Sequence, residues 1–316
     1  MSGYVGKVTR VFVLSRVTLG ADIAVTSSVL DAAKRRFPRA EVVLAGGEKS
    51  RQLFAADARV RHLPVSYGRG GTLRERLSVW PELRASLSEP GSIVIDPDSR
   101  LTQLGLLPVC PEENYFFFES RSYGGDGSET LAGLTRRWLA ETLDVDNARP
   151  YVAPAEAIDT GPGPAVCISF GVGENPAKRL PDPFEEELLR CLGASGSVLL
   201  VDKGAGGEEA ERVERAIRRC GIPKSRVRTW HGSFSGFAAI VARSRLYVGY
   251  DSAGQHAAAA CGVPLISIFA GFPSLRMFDR WRPTGPGPIE VVRVDRPDPA
   301  GTLDEVRVAL SRLGAL

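Results

Sequence analysis

The 316-residue sequence has no apolar run of the ~18 residues needed to span a bilayer. Its opening residues, MSGYVGKVTRVFVLS, lack the long apolar core and cleavage site of a secretory signal. Its five cysteines, Cys110, Cys167, Cys191, Cys220 and Cys261, are odd in number and show no paired short spacing. That excludes a disulfide framework or zinc knuckle as the organising principle and points to a reduced, cytoplasmic setting. Only three histidines occur, His62, His231 and His256, and no His/Cys/Asp spacing suggests a metal site. A formal net charge of +3, with basic residues interleaved among acidic ones, gives no footprint for nucleic acid. Neither a P-loop nor a G-x-G-x-x-G after the first strand is present, which disfavours a nucleoside triphosphatase and a nicotinamide-binding domain. Nothing resembles a nucleophile elbow with its partners.

What remains is 43% hydrophobic residues, ordinary for a globular chain and enough for two cores of about 150 residues each. Apolar strand-like runs alternate with helical periodicity. In the first half, Arg10–Ser15, Glu41–Ala45, Ser92–Asp96 and Tyr115–Phe118 read as strands, with helices at Ile23–Phe37 and Leu131–Leu143. Residues 152–164, VAPAEAIDTGPGP, are rich in Pro, Gly and Ala without periodicity and mark a linker. The second half supplies strands at Ala165–Phe170, Ser197–Val201, Arg226–Trp230, Leu246–Gly249 and Pro264–Phe269, with helices between them. This alternation predicts an α/β fold of parallel sheets covered on both faces, divided into domains at 1–155 and 156–316. Ligands in such sheets bind beyond the carboxyl ends of the strands. The last segment reads as a helix opened by a Thr302/Glu305 capping box, its apolar stripe free to cross back to the first domain.

Three predicted strand-to-helix turns gather polar groups. Thr18-Leu19-Gly20-Ala21-Asp22 follows the first strand, and Asp22 is either the N-cap of the next helix or a carboxylate placed to take a proton. In Gly171-Val172-Gly173-Glu174-Asn175-Pro176-Ala177-Lys178, glycines allow backbone to approach a ligand and Lys178 can reach a diphosphate. Asp251, Ser252, Ala253, Gly254, Gln255 and His256 stand where a strand ends and a small-residue helix starts, where free N–H groups favour an anion.

In order and spacing these turns resemble the heptosyltransferase family, the ADP-heptose-dependent glycosyltransferase family 9. LGADIAVTSSVLDAAKRRFPRAEVVLAGG (residues 19–47) is similar to the family's L-G-D opening, NPAKRLP (175–181) to its lysine loop, and VGYDSAGQHAAAACGVPLISIFA (248–270) to its V-G-x-D-[ST]-G-x-x-H-x-A-A-A-x-G-x-P signature. The resemblance implies two facing Rossmann-like domains with an interdomain cleft, the glycosyltransferase-B architecture, the second binding a nucleotide sugar. It implies an inverting, metal-independent transfer of heptose or a related sugar from an ADP-linked donor, with no cofactor beyond that co-substrate. Asp22 would be the general base. Gly171, Lys178 and the turn Ser252, Ala253, Gly254 and Gln255 would hold the diphosphate, Asp251 and His256 the sugar or phosphates, and Gly232, Ser233 and Phe234 the nucleobase. The chain departs from the pattern with Gly20-Ala21-Asp22 where the family has Gly-Asp, and with Ala253-Gly254-Gln255 where it has Gly-Pro-Met.

Two stretches of the first half, residues 95–110 and 116–125, place Asp98, Arg100, Gln103, Arg121 and Tyr123 as candidate acceptor contacts. No strongly basic face or membrane-seeking helix accompanies them, so a glycan or small-molecule acceptor fits as well as a lipid-linked one. Two other readings share the architecture: a nucleotide-sugar epimerase, which needs no acceptor, and a non-catalytic nucleotide-sugar-binding protein.

Overall fold

Five runs in the first half pair as parallel strands, β1 (Arg10–Leu14), β2 (Glu41–Gly46), β3 (Val60–Pro64), β4 (Ser92–Asp96) and β5 (Tyr115–Phe117), in the order β3-β2-β1-β4-β5. β1 is flanked by neighbours on both sides, which suits a segment with four successive fully buried residues. Around this sheet run α1 (Leu19–Ala21), α2 (Ser27–Arg36), α3 (Glu48–Leu53), α4 (Leu73–Leu77), α5 (Trp80–Leu87) and α6 (Leu131–Leu143). The computed structural model describes residues 7–155, 166–204 and 206–314. Most of the expected linker, residues 156–164, lies outside them. The chain divides into two compact units, Met1–Ala155 and Glu156–Leu316.

The second unit has six parallel strands, β6 (Val166–Ser169), β7 (Leu199–Asp202), β8 (Val227–Trp230), β9 (Leu246–Tyr250), β10 (Leu265–Ala270) and β11 (Ile289–Val294), ordered β11-β10-β9-β6-β7-β8. Its helices are α7 (Phe184–Gly193), α8 (Gly207–Arg219), α9 (Phe234–Val241), α10 (Ala253–Ala260), α11 (Leu275–Trp281) and α12 (Pro299–Arg312). The two-residue period of the strands divides the core. Val166, Ile168, Val248 and Ile266 pack with Leu188, Val213 and Val306 of α7, α8 and α12, while Cys167, Tyr247 and Leu265 pack with Phe237 and Ala258 of α9 and α10.

The final helix differs from its sequence reading. Asp298 caps it, accepting from the Gly301 N–H at 3.0 Å, so Thr302 lies inside the helix and is buried. Its stripe, Leu303, Val306, Ala309 and Leu310, is seated in the second unit's own core.

In each sheet the chain builds outward in both directions from one internal boundary, between β1 and β4 in the first unit and between β6 and β9 in the second. Loops that leave two adjacent strands on opposite faces open a crevice at such a boundary. The residues with the most polar chemistry lie at these two places.

Candidate functional site

In the second unit the boundary joins the β6 loop to the turn after β9. A turn of 3-10 helix at Pro176–Lys178, capped by Asn175 through the Ala177 N–H at 3.1 Å, holds the lysine in place. Lys178 Nζ lies 2.6 Å from Asp251 Oδ2 and donates to the Asp251 carbonyl at 2.9 Å. Residues 73 apart in sequence thus form one ion pair, with side chains only 14% and 5% exposed. Burial pushes the Asp251 carboxyl up, and Lys178 and the Gln255 amide oppose that push. Among the described residues these contacts use two of the ammonium's three protons, leaving one for a ligand.

Ser252 is the N-cap residue of α10 by backbone position, but its side chain makes no capping bond. The first N–H groups of α10 are therefore not satisfied by its cap, and Ser252 and Ala253 are partly exposed. Gln255 is wholly buried; its amide donates to Asp251 and its carbonyl accepts from Ser267. Where the family pattern has methionine, this chain has a hydrogen-bonding side chain that fixes the Asp251 carboxylate. His256 is buried edge-on to Trp281, with ring centroids 6.0 Å apart, and burial beside Lys178 holds its pKa down to about 3. It is a neutral imidazole.

The other expected donor residues divide. Gly171 lies at the end of β6, its N–H 3.4 Å from Ser169 Oγ. Ser233 caps α9 through the Gly236 N–H at 3.1 Å, and Phe234 packs on Phe237 at 6.1 Å, so both carry local structural roles. A side chain at Gly232 would strike the Trp230 ring at 2.6 Å. Sequence reasoning missed two carboxyls here, Asp202 at the end of β7 and Glu209 in the first turns of α8. Asp202 accepts from Gly204 N–H at 3.0 Å and from Ser169 Oγ at 3.3 Å, and burial raises its pKa to about 6. Glu209 lies against Gly171 and Gly204, where any side chain would collide with its carboxylate, and its pKa is raised by burial. The available signal was VDKGAGGEE (residues 201–209), acids flanking a glycine turn at a strand end.

Because the folded pKa of Asp202 exceeds the ordinary carboxyl value of 3.8, its favourable contribution is complete below pH 4 and is lost as pH rises through 6. Asp202→Asn is expected to match the parent in urea unfolding at pH 3.5 and to be roughly 1–3 kcal/mol more stable at pH 7. A variant less stable at pH 7 would show that the carboxylate is favoured as an ion.

In the first unit, Asp22 is not a helix cap. The helix begins three residues earlier at Leu19, with Thr18 at its N-cap, and continues through a π turn at Asp22–Thr26, where the Ser27 N–H reaches the Asp22 carbonyl. A π turn takes in one residue more than an α turn, which absorbs the extra Ala21. Asp22 is 0% exposed. Oδ1 accepts from the Arg16 N–H at 2.7 Å and Thr26 Oγ1 at 2.8 Å; Oδ2 accepts from Ser15 Oγ at 2.8 Å and Ser50 Oγ at 2.6 Å. All four acceptor positions of the carboxylate are filled. Burial raises its pKa against the pull of these donors.

Next to it, the ends of β1 and β4 are strained. Val17 and Asp98 have φ of 69° and 68°, costly for residues with a Cβ and most so for a β-branched one. Asp98, 2% exposed, accepts from Ser120 at 2.5 Å and from Arg121. The buried Arg16 guanidinium donates to the Pro97 carbonyl and Ser120 Oγ, both at 2.9 Å. Of the five expected acceptor residues, Asp98 and Arg121 come together, and Arg16 is the member that sequence reasoning missed. Gln103 instead donates to the Arg100 carbonyl at 3.0 Å and Tyr67 hydroxyl at 3.3 Å, and Tyr123 donates to Glu141 beneath the Arg137 guanidinium.

Residues 143–285 match the family model described as glycosyltransferase family 9 (heptosyltransferase). Among solved structures, the chain is similar to a glycosyl transferase family 9 protein from Veillonella parvula, at 17% identity and TM-score 0.71, with 97% of each chain covered. It is also similar to E. coli heptosyltransferase WaaC with ADP-2-deoxy-2-fluoro heptose, at 18% identity and TM-score 0.71, covering 96% of this chain and 99% of that one. E. coli ADP-heptose lps heptosyltransferase II follows at 16% identity and TM-score 0.64, with 97% and 100% covered. No curated protein matches by sequence. Among the described residues, no helix is long and apolar enough to cross a membrane. The Lys178–Asp251 turn thus lies inside the segment that matches the model of glycosyltransferase family 9, the heptosyltransferase family, and the chain shares the fold of these structures.

Proposed function

We propose that the protein transfers heptose or a closely related sugar from an ADP-linked donor to an acceptor hydroxyl, with inversion at the anomeric carbon. The observation that carries this reading is the buried Lys178–Asp251 pair at the uncapped N-terminus of α10. A diphosphate there meets the third proton of Lys178 and the free N–H groups of the helix, which stabilise the charge that grows on the leaving group without a resident metal. Asp202, at the end of β7, and Glu209, in the first turns of α8 beside Gly171 and Gly204, accept from the ribose hydroxyls. Lying beside Lys178 and Gln255, the neutral His256 contributes a hydrogen bond and no charge.

The acceptor hydroxyl attacks the anomeric carbon, the bond from that carbon to the phosphate oxygen breaks, and ADP leaves with its electron pair. The hydroxyl proton goes to Asp22 of the first unit. For that step Asp22 must release one of its four donors, and Ser50 can turn away, since Ser15 Oγ at 3.0 Å offers it another partner. Asp98 and Arg121 read the acceptor, the guanidinium suiting an acidic or phosphorylated glycan or small molecule. Five free cysteines agree with a reducing, cytoplasmic setting.

The test is to incubate the protein with ADP-heptose and other nucleotide sugars, with and without candidate acceptors, and to follow free nucleotide and sugar configuration. Acceptor-dependent release of ADP with inversion is expected. Isomerised sugar without acceptor would replace transferase by epimerase, and binding without turnover would leave only a nucleotide-sugar-binding protein.

A further inference from the structure

Tyr247 is completely buried, and its hydroxyl has no hydrogen-bond partner among the described residues. The mechanism above does not use it. The side chain leaves β9 on the face that packs against α9 and α10, so its ring lies within that core. Its hydroxyl reaches the start of α10, because a Cβ on Gly254, the second helical residue, would collide with it. A Cβ on Gly249 would also meet the hydroxyl, at 2.6 Å. These two glycines therefore clear a channel for one phenol beneath the phosphate turn. The hydroxyls of Ser252 and Ser169 stand near enough to temper the strong upward push of burial on the Tyr247 pKa, yet neither closes a bond of ordinary geometry.

A buried donor without an acceptor is costly, and such groups call for an explanation. Ser252 supplies the matching half. It stands at the N-cap, is partly exposed, and does not use its side-chain oxygen as a cap. A serine hydroxyl can accept one hydrogen bond while donating another.

We propose that Tyr247 is a positioning residue for Ser252: when a diphosphate occupies the turn, the phenol donates to Ser252 Oγ, which aims the serine proton at a phosphate oxygen. The negative ligand polarises the chain, so each bond strengthens the other. The inference rests on the α10 turn being the donor diphosphate site.

The test is Tyr247→Phe, which keeps the ring and removes the hydroxyl. Calorimetry with ADP and with UDP should show Kd raised about five- to tenfold for both, since the contact is to phosphate. The melting temperature without ligand should be unchanged or higher, because the lost hydroxyl made no bond. Ser252→Ala should show a similar loss, and the double variant should lose no more than Ser252→Ala alone. Unchanged ADP affinity in Tyr247→Phe, or losses that add in the double variant, would overturn the positioning role while leaving the donor site intact. A parent protein that binds neither nucleotide would overturn the donor reading and this inference together.

Discussion

Lys178→Ala is expected to weaken nucleoside diphosphate binding at least about a hundredfold and to lower stability by about 2–3 kcal/mol. Both effects come from the same place. The ammonium is the cation in contact with Asp251, which is 5% exposed, and removing one member of a buried pair strands the other. The stability loss should fall at or below the low end of the usual range for two reasons. Burial already pushes the Asp251 carboxyl toward its neutral form, and the Gln255 amide stays bonded to it. Adding Asp251→Asn should recover most of the lost stability, because no charge is then left unpaired. It should recover none of the affinity, because the diphosphate still lacks its cation. Urea unfolding and calorimetry with ADP separate the two effects. A Lys178→Ala protein with parental ADP affinity would mean that Lys178 serves only as the counterion of Asp251.

Sequence reading succeeded where one periodicity decided the matter. The apolar runs of β1, β4, β9 and β10 are buried on both faces, and a continuous apolar run is what such a strand requires. It missed β3 and β11, whose half-exposed sequences, VRHLP and IEVVRV, lie at sheet edges where one side faces no neighbour. Lys178 and Asp251 were named separately as candidates; their contact across 73 residues depends on β6 and β9 pairing side by side, which no local pattern states. Tyr247 was invisible for a related reason. An aromatic residue in a strand reads as core, and only packing shows that its hydroxyl arrives under Ser252 without a partner. Asp22 was misread as a possible cap because Asp before an apolar helix is a common N-terminus, whereas the helix starts at Leu19 and the residue sits in a π turn.

The two substitutions Asp22→Ala and Asp22→Asn should part sharply, and the difference tells whether this carboxylate does chemistry as well as hold the turn. Asp22→Ala removes the acceptor of four donors at once. Ser15 and Ser50 can bond each other at their 3.0 Å separation, but the Arg16 N–H has no alternative, so the loss should reach about 2–4 kcal/mol. Asp22→Asn should fold within about 1 kcal/mol of the parent: its carbonyl can serve Arg16 and Thr26, and its amide can donate to the rotatable hydroxyls of Ser15 and Ser50. Yet an amide takes up no proton. If Asp22 is the base, the transfer rate of Asp22→Asn falls about a hundredfold or more with donor affinity unchanged. The pH profile supplies an independent check. A base works ionised, so the rate should rise with pH through the Asp22 pKa, which burial already lifts above its usual value. Ser50→Ala removes the donor that does most to lower that pKa, so it should move the acid limb of the profile to higher pH while sparing the plateau. Near-parental turnover in Asp22→Asn, with an acid limb that ignores Ser50→Ala, would make Asp22 an anchor of the π turn and require the acceptor's proton to leave by another group.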